Sequence, residues 1–130
     1  MSYQPNFIVI DDDPFNNKIC KLFLQKFIGD VAVETFTEPE VAINYLANYT
    51  PPDTEPSIVL LDINMPTMTG WEFLDEYDHL DASVKNSLKV YILSSSVDER
   101  DKERAAQNKN VVDYLIKPLT ADVVGKLLNN

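Results

Sequence analysis

Cysteine is nearly missing from this chain: Cys20 stands alone among 130 residues. No intrachain disulfide and no cysteine-based zinc site can therefore form. Long apolar runs are missing too. Nothing approaches the roughly twenty consecutive apolar residues that a membrane-spanning helix needs. The opening MSYQPNFIVIDDD has no basic segment ahead of its short apolar run, so it does not read as a secretory signal. Basic charge is scarce: Lys plus Arg number 11 against 21 Asp plus Glu, a net charge of −10. Such a surface repels DNA, RNA and anionic membranes and leaves basic protein surfaces and divalent cations as natural counterparts. There is no internal repeat, low-complexity run or domain linker. Residues 1–130 read as one soluble, cytoplasmic domain with no output domain attached. With 45% hydrophobic residues the chain can bury a real core.

Five short apolar runs are present: FIVI (7–10), VAVETF (31–36), IVLL (58–61), VYIL (90–93) and VVDYLI (111–116). Most are nearly continuous and rich in β-branched residues, the pattern of strands buried on both faces of a parallel sheet. Helical spacing fills the gaps. Phe15, Ile19, Leu22, Phe23 and Phe27 fall on one predicted face of a first helix. Asp13 caps it, with Pro14 at its first position. Thr37 to Glu40 and Thr69 to Glu72 both fit a Thr-x-x-Glu capping box, opening helices two and three. Val41, Ala42, Tyr45, Leu46 and Tyr49 form the second helix's apolar stripe. TPPDTEP (50–56) reads as a loop before the third strand. The fourth helix, near Asp98 to Asn108, offers only Ala105 and Ala106 to a core and is predicted to be the loosest. Thr120 caps a fifth, which buries Val123, Val124, Leu127 and Leu128. Strand and helix alternate five times, so the fold class is α/β, a doubly wound five-stranded parallel sheet with helices on both faces.

In open sheets of this kind the ligand site lies beyond the carboxyl ends of the strands. The residues just after each run are Asp11-Asp12-Asp13, then Asp62 with Ile63-Asn64-Met65-Pro66, then Ser94-Ser95-Ser96, then Lys117-Pro118. Clustered carboxylates repel, by about 4 kcal/mol for two charges 4 Å apart at an effective dielectric near 20. They need a cation, a proton or an ammonium beside them. An all-oxygen set suits Mg²⁺, and Lys117 supplies a fixed positive charge. A carboxylate so placed can act as a nucleophile toward a phosphoryl group.

Four motifs in order, IVIDDDP, LLDINMPTMTGWEFL, YILSSS and DYLIKP, make this chain resemble the receiver domain of two-component response regulators, from about Phe7 to Leu128. The resemblance implies a flavodoxin-like (βα)5 fold with strand order 2-1-3-4-5. It implies that Asp62 is phosphorylated, and that Asp11, Asp12, Asp62 and the backbone carbonyl of Asn64 hold Mg²⁺ or Mn²⁺. It makes Ser94 the switch hydroxyl, Tyr114 the switch aromatic and Lys117 the group on the phosphoryl oxygens, with a cis peptide between Lys117 and Pro118. The implied phosphodonor is a histidine kinase or histidine phosphotransfer protein. The implied output is a protein contact through the fourth helix, fifth strand and fifth helix, in a diffusible chemotaxis-regulator-like protein that catalyses only its own phosphoryl transfer and dephosphorylation. Three departures stand out. Ser95 follows the switch hydroxyl where a smaller residue is usual, three serines in a row leave the register open, and Lys109-Asn110 replaces the usual glycine before the fifth strand.

Other residues have plainer readings. Cys20 is small core filler, Trp71 a partly buried packing residue, His79 a solvated side chain without a phosphorelay role, and DERDKER a solvated helix face. A flavodoxin-like mononucleotide carrier would need a phosphate cradle where this chain has DDDP. A haloacid dehalogenase-type phosphatase would need D-x-D and a cap. The alternative that remains is a receiver-like docking module that is never phosphorylated.

Overall fold

The computed structural model describes residues 5–50 and 55–129, so Pro51 to Thr54 of the predicted loop and the final Asn130 lie outside the described residues. The chain runs β1 (Phe7–Ile10), α1 (Pro14–Ile28), β2 (Val33–Phe36), α2 (Pro39–Ala47), β3 (Ser57–Leu61), α3 (Gly70–Tyr77), α4 (Ala82–Asn86), β4 (Leu88–Ser94), α5 (Glu99–Gln107), β5 (Val111–Ile116) and α6 (Ala121–Asn129). All strand pairs are parallel and the order is β2-β1-β3-β4-β5, as expected. The continuous apolar runs are the central strands: β1 and β3 are buried at every residue, while the edges β2 and β5 are open on one side.

Alternation along each strand splits the core in two. Ile8, Ile10, Val59, Leu61, Val90 and Ile92 pack with Ala42 and Leu46 of α2, Phe73 and Leu74 of α3 and Ala105 of α5. Phe7, Val9, Ile58, Leu60, Tyr91 and Leu93 pack with Cys20 and Leu24 of α1 and Val124 and Leu127 of α6. The helices therefore cover both faces of the sheet. Among the described residues no helix is long and apolar enough to cross a membrane.

Several helix ends follow the expected chemistry. Asp13 accepts the Phe15 N–H with Pro14 behind it, and Thr69 and Glu72 form a reciprocal capping box. Thr120 Oγ1 accepts the Val123 N–H at 3.3 Å. Gly29 ends α1 at φ 109°, a backbone region that glycine enters without strain. The predicted fourth helix is present as α5, capped by Asp98, and it buries only Ala105; Ala106 is exposed.

Other expectations are corrected. Among the described residues six helices are present rather than five, because α4 is a single short turn carrying one buried apolar residue, Val84, too little for a periodic signal. The capping box expected from Thr37 to Glu40 does not form. Pro39 at the first helical position makes Glu38 the cap residue, held extended by the proline that follows it, and no side chain caps the helix. In α1 the buried residues are Asn17, Cys20 and Leu24. The face predicted to be inside is largely outside, with Phe15 62%, Ile19 48%, Leu22 56% and Phe27 52% exposed. In α2, Ala42 and Leu46 are buried while Val41 and Tyr45 are exposed. The turn before β5 is made without a left-handed residue; an Asn108 side chain accepts the Asn110 N–H at 2.9 Å instead. Trp71 is partly buried as expected, beneath the Arg104 guanidinium of α5 at 4.7 Å from the ring centre.

Candidate functional site

The sheet's own hydrogen bonds extend one residue past each strand and so fix the site residues. Asp11 N donates to Phe36 O at 3.0 Å, Asp62 N to Ile10 O at 2.9 Å, and Lys117 N to Ser94 O at 2.9 Å. Asp11, Asp62, Ser94 and Lys117 thereby share one edge, at the carboxyl ends of β1, β3, β4 and β5. The Lys117–Pro118 peptide is cis.

Asp11 is the most enclosed carboxylate, its side chain 3% exposed, and it carries the site's strongest contact: Lys117 Nζ lies 2.6 Å from Oδ2. The amide of Asn16 donates to the same oxygen at 2.7 Å, and the Asp13 N–H donates to Oδ1 at 2.9 Å. A buried ion pair holds only when its remaining lone pairs are satisfied, and these two donors satisfy them. Asn17 then fastens α1 to the sheet, donating from Nδ2 to Asp11 O at 2.9 Å and to Phe36 O at 3.1 Å. Asn16 and Asn17 were not singled out from the sequence. Their only signal was two amides one turn after an acidic cluster, which also reads as an ordinary polar helix face.

Asp62 is held differently. Its Oδ1 accepts the Ile63 N–H at 2.9 Å, while Oδ2 faces the Lys117 ammonium at 3.8 Å. Burial, then the negative charge of Asp11, push its carboxyl above the ordinary aspartate value, against the opposing pull of Lys117 and the backbone donors. Burial pulls the Lys117 ammonium down, but its hydrogen bond to Asp11 and the charges of Asp62 and Asp11 outweigh that and hold it above the usual lysine value. Lys117 therefore stays charged at neutral pH, next to a carboxylate with one oxygen fixed and the other turned toward it.

Asp12 is the more open of the three aspartates. Oxygens of Asp11, Asp12 and Asp62 all lie within 4.8 Å of one another. Three hard oxygen donors around a small gap are the donor set that Mg²⁺ accepts while keeping several waters, so these residues fit such an ion. Asn64, next in line, is exposed at the rim. Cys20 lies buried beneath the ion pair, and burial pushes its thiol up to about 11, which fits a packing role.

Of the three serines, Ser94 is fully buried at the end of β4 and Ser95 is exposed. Ser94 Oγ accepts the Ser96 N–H at 3.1 Å, and the Tyr114 hydroxyl donates to Ser96 O at 2.8 Å. Tyr114 is thus tied to the serine loop rather than swung away from it. His79 is exposed at the end of α3, its Nδ1 2.8 Å from Asp75 O.

The response regulator receiver domain model matches residues 7–129. The chemotaxis protein CheY of Listeria monocytogenes is 28% identical over 117 residues, covering 90% of this chain and 89% of that protein. A response regulator receiver protein from Dyadobacter fermentans superposes with a TM-score of 0.86 at 31% identity, over 95% of this chain and 94% of its own. A two component response regulator from Cytophaga hutchinsonii gives 0.83 at 33% identity, over 97% and 95%. A parallel sheet in this order, an acidic pocket at its carboxyl edge and a family match along nearly the whole chain lead to one conclusion: the protein belongs to the response regulator receiver domains of two-component systems.

Proposed function

We propose that Asp62 accepts a phosphoryl group from a phosphohistidine on a histidine kinase or histidine phosphotransfer protein, and that residues 1–130 act as one receiver unit. Receiver domains bind Mg²⁺ at an acidic pocket and serve as signalling modules rather than classical enzymes. The observation that carries the finer reading is the asymmetry of Asp62: Oδ1 is pinned by the Ile63 N–H, and Oδ2 lies open toward Lys117 at 3.8 Å. Oδ2 attacks phosphorus, the bond from phosphorus to the imidazole nitrogen breaks, and the nitrogen leaves with its electron pair. Lys117 neutralises charge on the transferred oxygens, since electrostatic positioning is most of what phosphoryl transfer requires. Asp11, Asp12, Asp62 and the Asn64 carbonyl are the groups assigned to Mg²⁺, with Mn²⁺ as a substitute, and the ion supplies charge neutralisation at the phosphoryl oxygens.

Two surfaces fit the two partners. The side of α1 next to the pocket exposes Phe15, Ile19 and Leu22, and the helix carries Lys18, Lys21 and Lys26 with no acidic residue. In a chain of net charge −10 this basic, apolar face is the one assigned to the phosphodonor. The downstream target is assigned to the face of α5, β5 and α6, the fourth helix, fifth strand and fifth helix of the sequence reading. Val112 and Ile116 are exposed along it. Intact mass after incubation with acetyl phosphate and Mg²⁺ tests the chemistry. Wild type gains one acid- and base-labile phosphoryl group and Asp62→Asn gains none; equal uptake by the two proteins refutes the assignment.

A further inference from the structure

Ser96, two residues beyond β4, is bonded to three elements at once. Its N–H donates to Ser94 Oγ at the strand end, at 3.1 Å. Its carbonyl accepts the Tyr114 hydroxyl from β5 at 2.8 Å. Its own hydroxyl donates to Asp101 Oδ2 at 2.7 Å and accepts the Asp98 N–H at 3.3 Å, both at the start of α5. The bond to Asp101 is charge-assisted and short, the strong kind. The far side of α5 is weakly held: Ala105 is its one buried residue, with the Arg104–Trp71 contact beside it. A helix with so little apolar anchorage takes its position from the polar contacts at its end.

We propose that Ser96 is a positioning residue that carries a displacement of Ser94 into the first turn of α5, with Asp101 as the point of attachment. The inference rests on the phosphorylation of Asp62 proposed above. A phosphoryl group adds strong acceptors and negative charge at the pocket, and the buried Ser94 hydroxyl is the neighbouring donor on the next strand. Ser94 Oγ already accepts from Ser96 N–H, and that bond has only a few tenths of an ångström to stretch before it fails. When Ser94 moves toward Asp62, Ser96 either follows or leaves a donor unsatisfied. Following carries its carbonyl away from Tyr114 and its hydroxyl away from Asp101 and Asp98. One small shift at the pocket is thus delivered to both β5 and α5 through a single residue that does not itself reach the pocket.

The test compares amide hydrogen exchange with and without Mg²⁺ plus beryllofluoride in wild type, Ser96→Ala, Ser96→Thr, Asp101→Ala and Asp101→Asn. Fluorine NMR of bound beryllofluoride reports loading independently. All five proteins are expected to bind the mimic. The ligand-induced change in protection over residues 99–103 is expected to fall to less than about half of wild type in Ser96→Ala and Asp101→Ala. It is expected to return in Ser96→Thr, which keeps the hydroxyl, and in Asp101→Asn, which keeps an acceptor oxygen. Because each protein is compared with itself, loaded against unloaded, a merely structural loss does not imitate this result. If Ser96→Ala shows the full wild-type change, the inference is overturned while the receiver reading stands. If wild type binds no beryllofluoride and gains no phosphoryl mass, both are overturned together.

Discussion

Gly70, the first residue of α3, sits against the backbone that carries Asp62. A Cβ built on it would lie 2.7 Å from Asp62 O and from Ile63 Cα, and 2.8 Å from Ile63 Cγ2. Two of these neighbours are backbone, so no side-chain rotation relieves the clash. Overpacking of this sort costs about 1–3 kcal/mol, and a backbone obstacle places Gly70→Ala toward the upper end. Alanine gives back less than about 1 kcal/mol through helix propensity and a less disordered unfolded chain. The net loss is about 2 kcal/mol. At roughly 2.1 cal/mol/K of unfolding entropy per residue, a chain of 130 residues then loses about 7 °C in Tm. Gly125, inside α6, is the matched control, because a Cβ there meets nothing within 4 Å. Gly125→Ala is expected to gain up to about 1 kcal/mol, or about 4 °C. Differential scanning calorimetry of the three proteins reads both signs at once. If Gly70→Ala melts at or above wild type, the close approach of α3 to the backbone of Asp62 and Ile63 is not a packing constraint and the reasoning fails.

The Asp62 carboxyl is held above its ordinary 3.8 by burial and the Asp11 charge. A raised carboxyl contributes stability below 3.8 that disappears as pH rises through the folded value, so at neutral pH its ionised form is a net cost. Asp62→Asn should therefore melt above wild type at pH 7 without divalent cations, with the gap closing near pH 3; a lower-melting variant at pH 7 contradicts this. Asp78 is shifted the other way, its carboxylate favoured first by the Asn110 amide and then by Lys109 and Lys85. Its contribution is complete above 3.8 and lost as pH falls through the lower folded value, so the melting difference between wild type and Asp78→Ala should shrink below pH 3.8. Cys20, buried and with its thiol pushed up to about 11, should resist Ellman's reagent in the native protein and react fully in denaturant; prompt native reaction would mean that α1 opens readily.

The sequence by itself determined the sheet and the chemistry along its edge. Central strands of a parallel sheet are buried on both faces, so FIVI, IVLL and VYIL show as unbroken apolar runs, and polar residues directly after them have nowhere to go but the carboxyl edge. Caps with a local side-chain bond, Asp13 and Thr69, were legible for the same reason: donor and acceptor are neighbours in the chain. Tertiary structure decided what depends on residues far apart or on competition between equals. Helix α1 has more apolar residues than one face can bury, and two rows about a third of a turn apart competed for the sheet. The row of Cys20 and Leu24 turned inward, on the side where Asn17 binds the carbonyls of Asp11 and Phe36; of the competing row only Phe23 packs partly against the core, and Phe15, Ile19, Leu22 and Phe27 were left in solvent. The short α4 has one buried apolar residue and no period to detect. Lys117 and Asp11 are 106 positions apart, and no local pattern sets their 2.6 Å contact. It follows from parallel registry, which brings the ends of β1 and β5 to one edge, and from Asn16, which leaves the Asp11 carboxylate aimed at the ammonium.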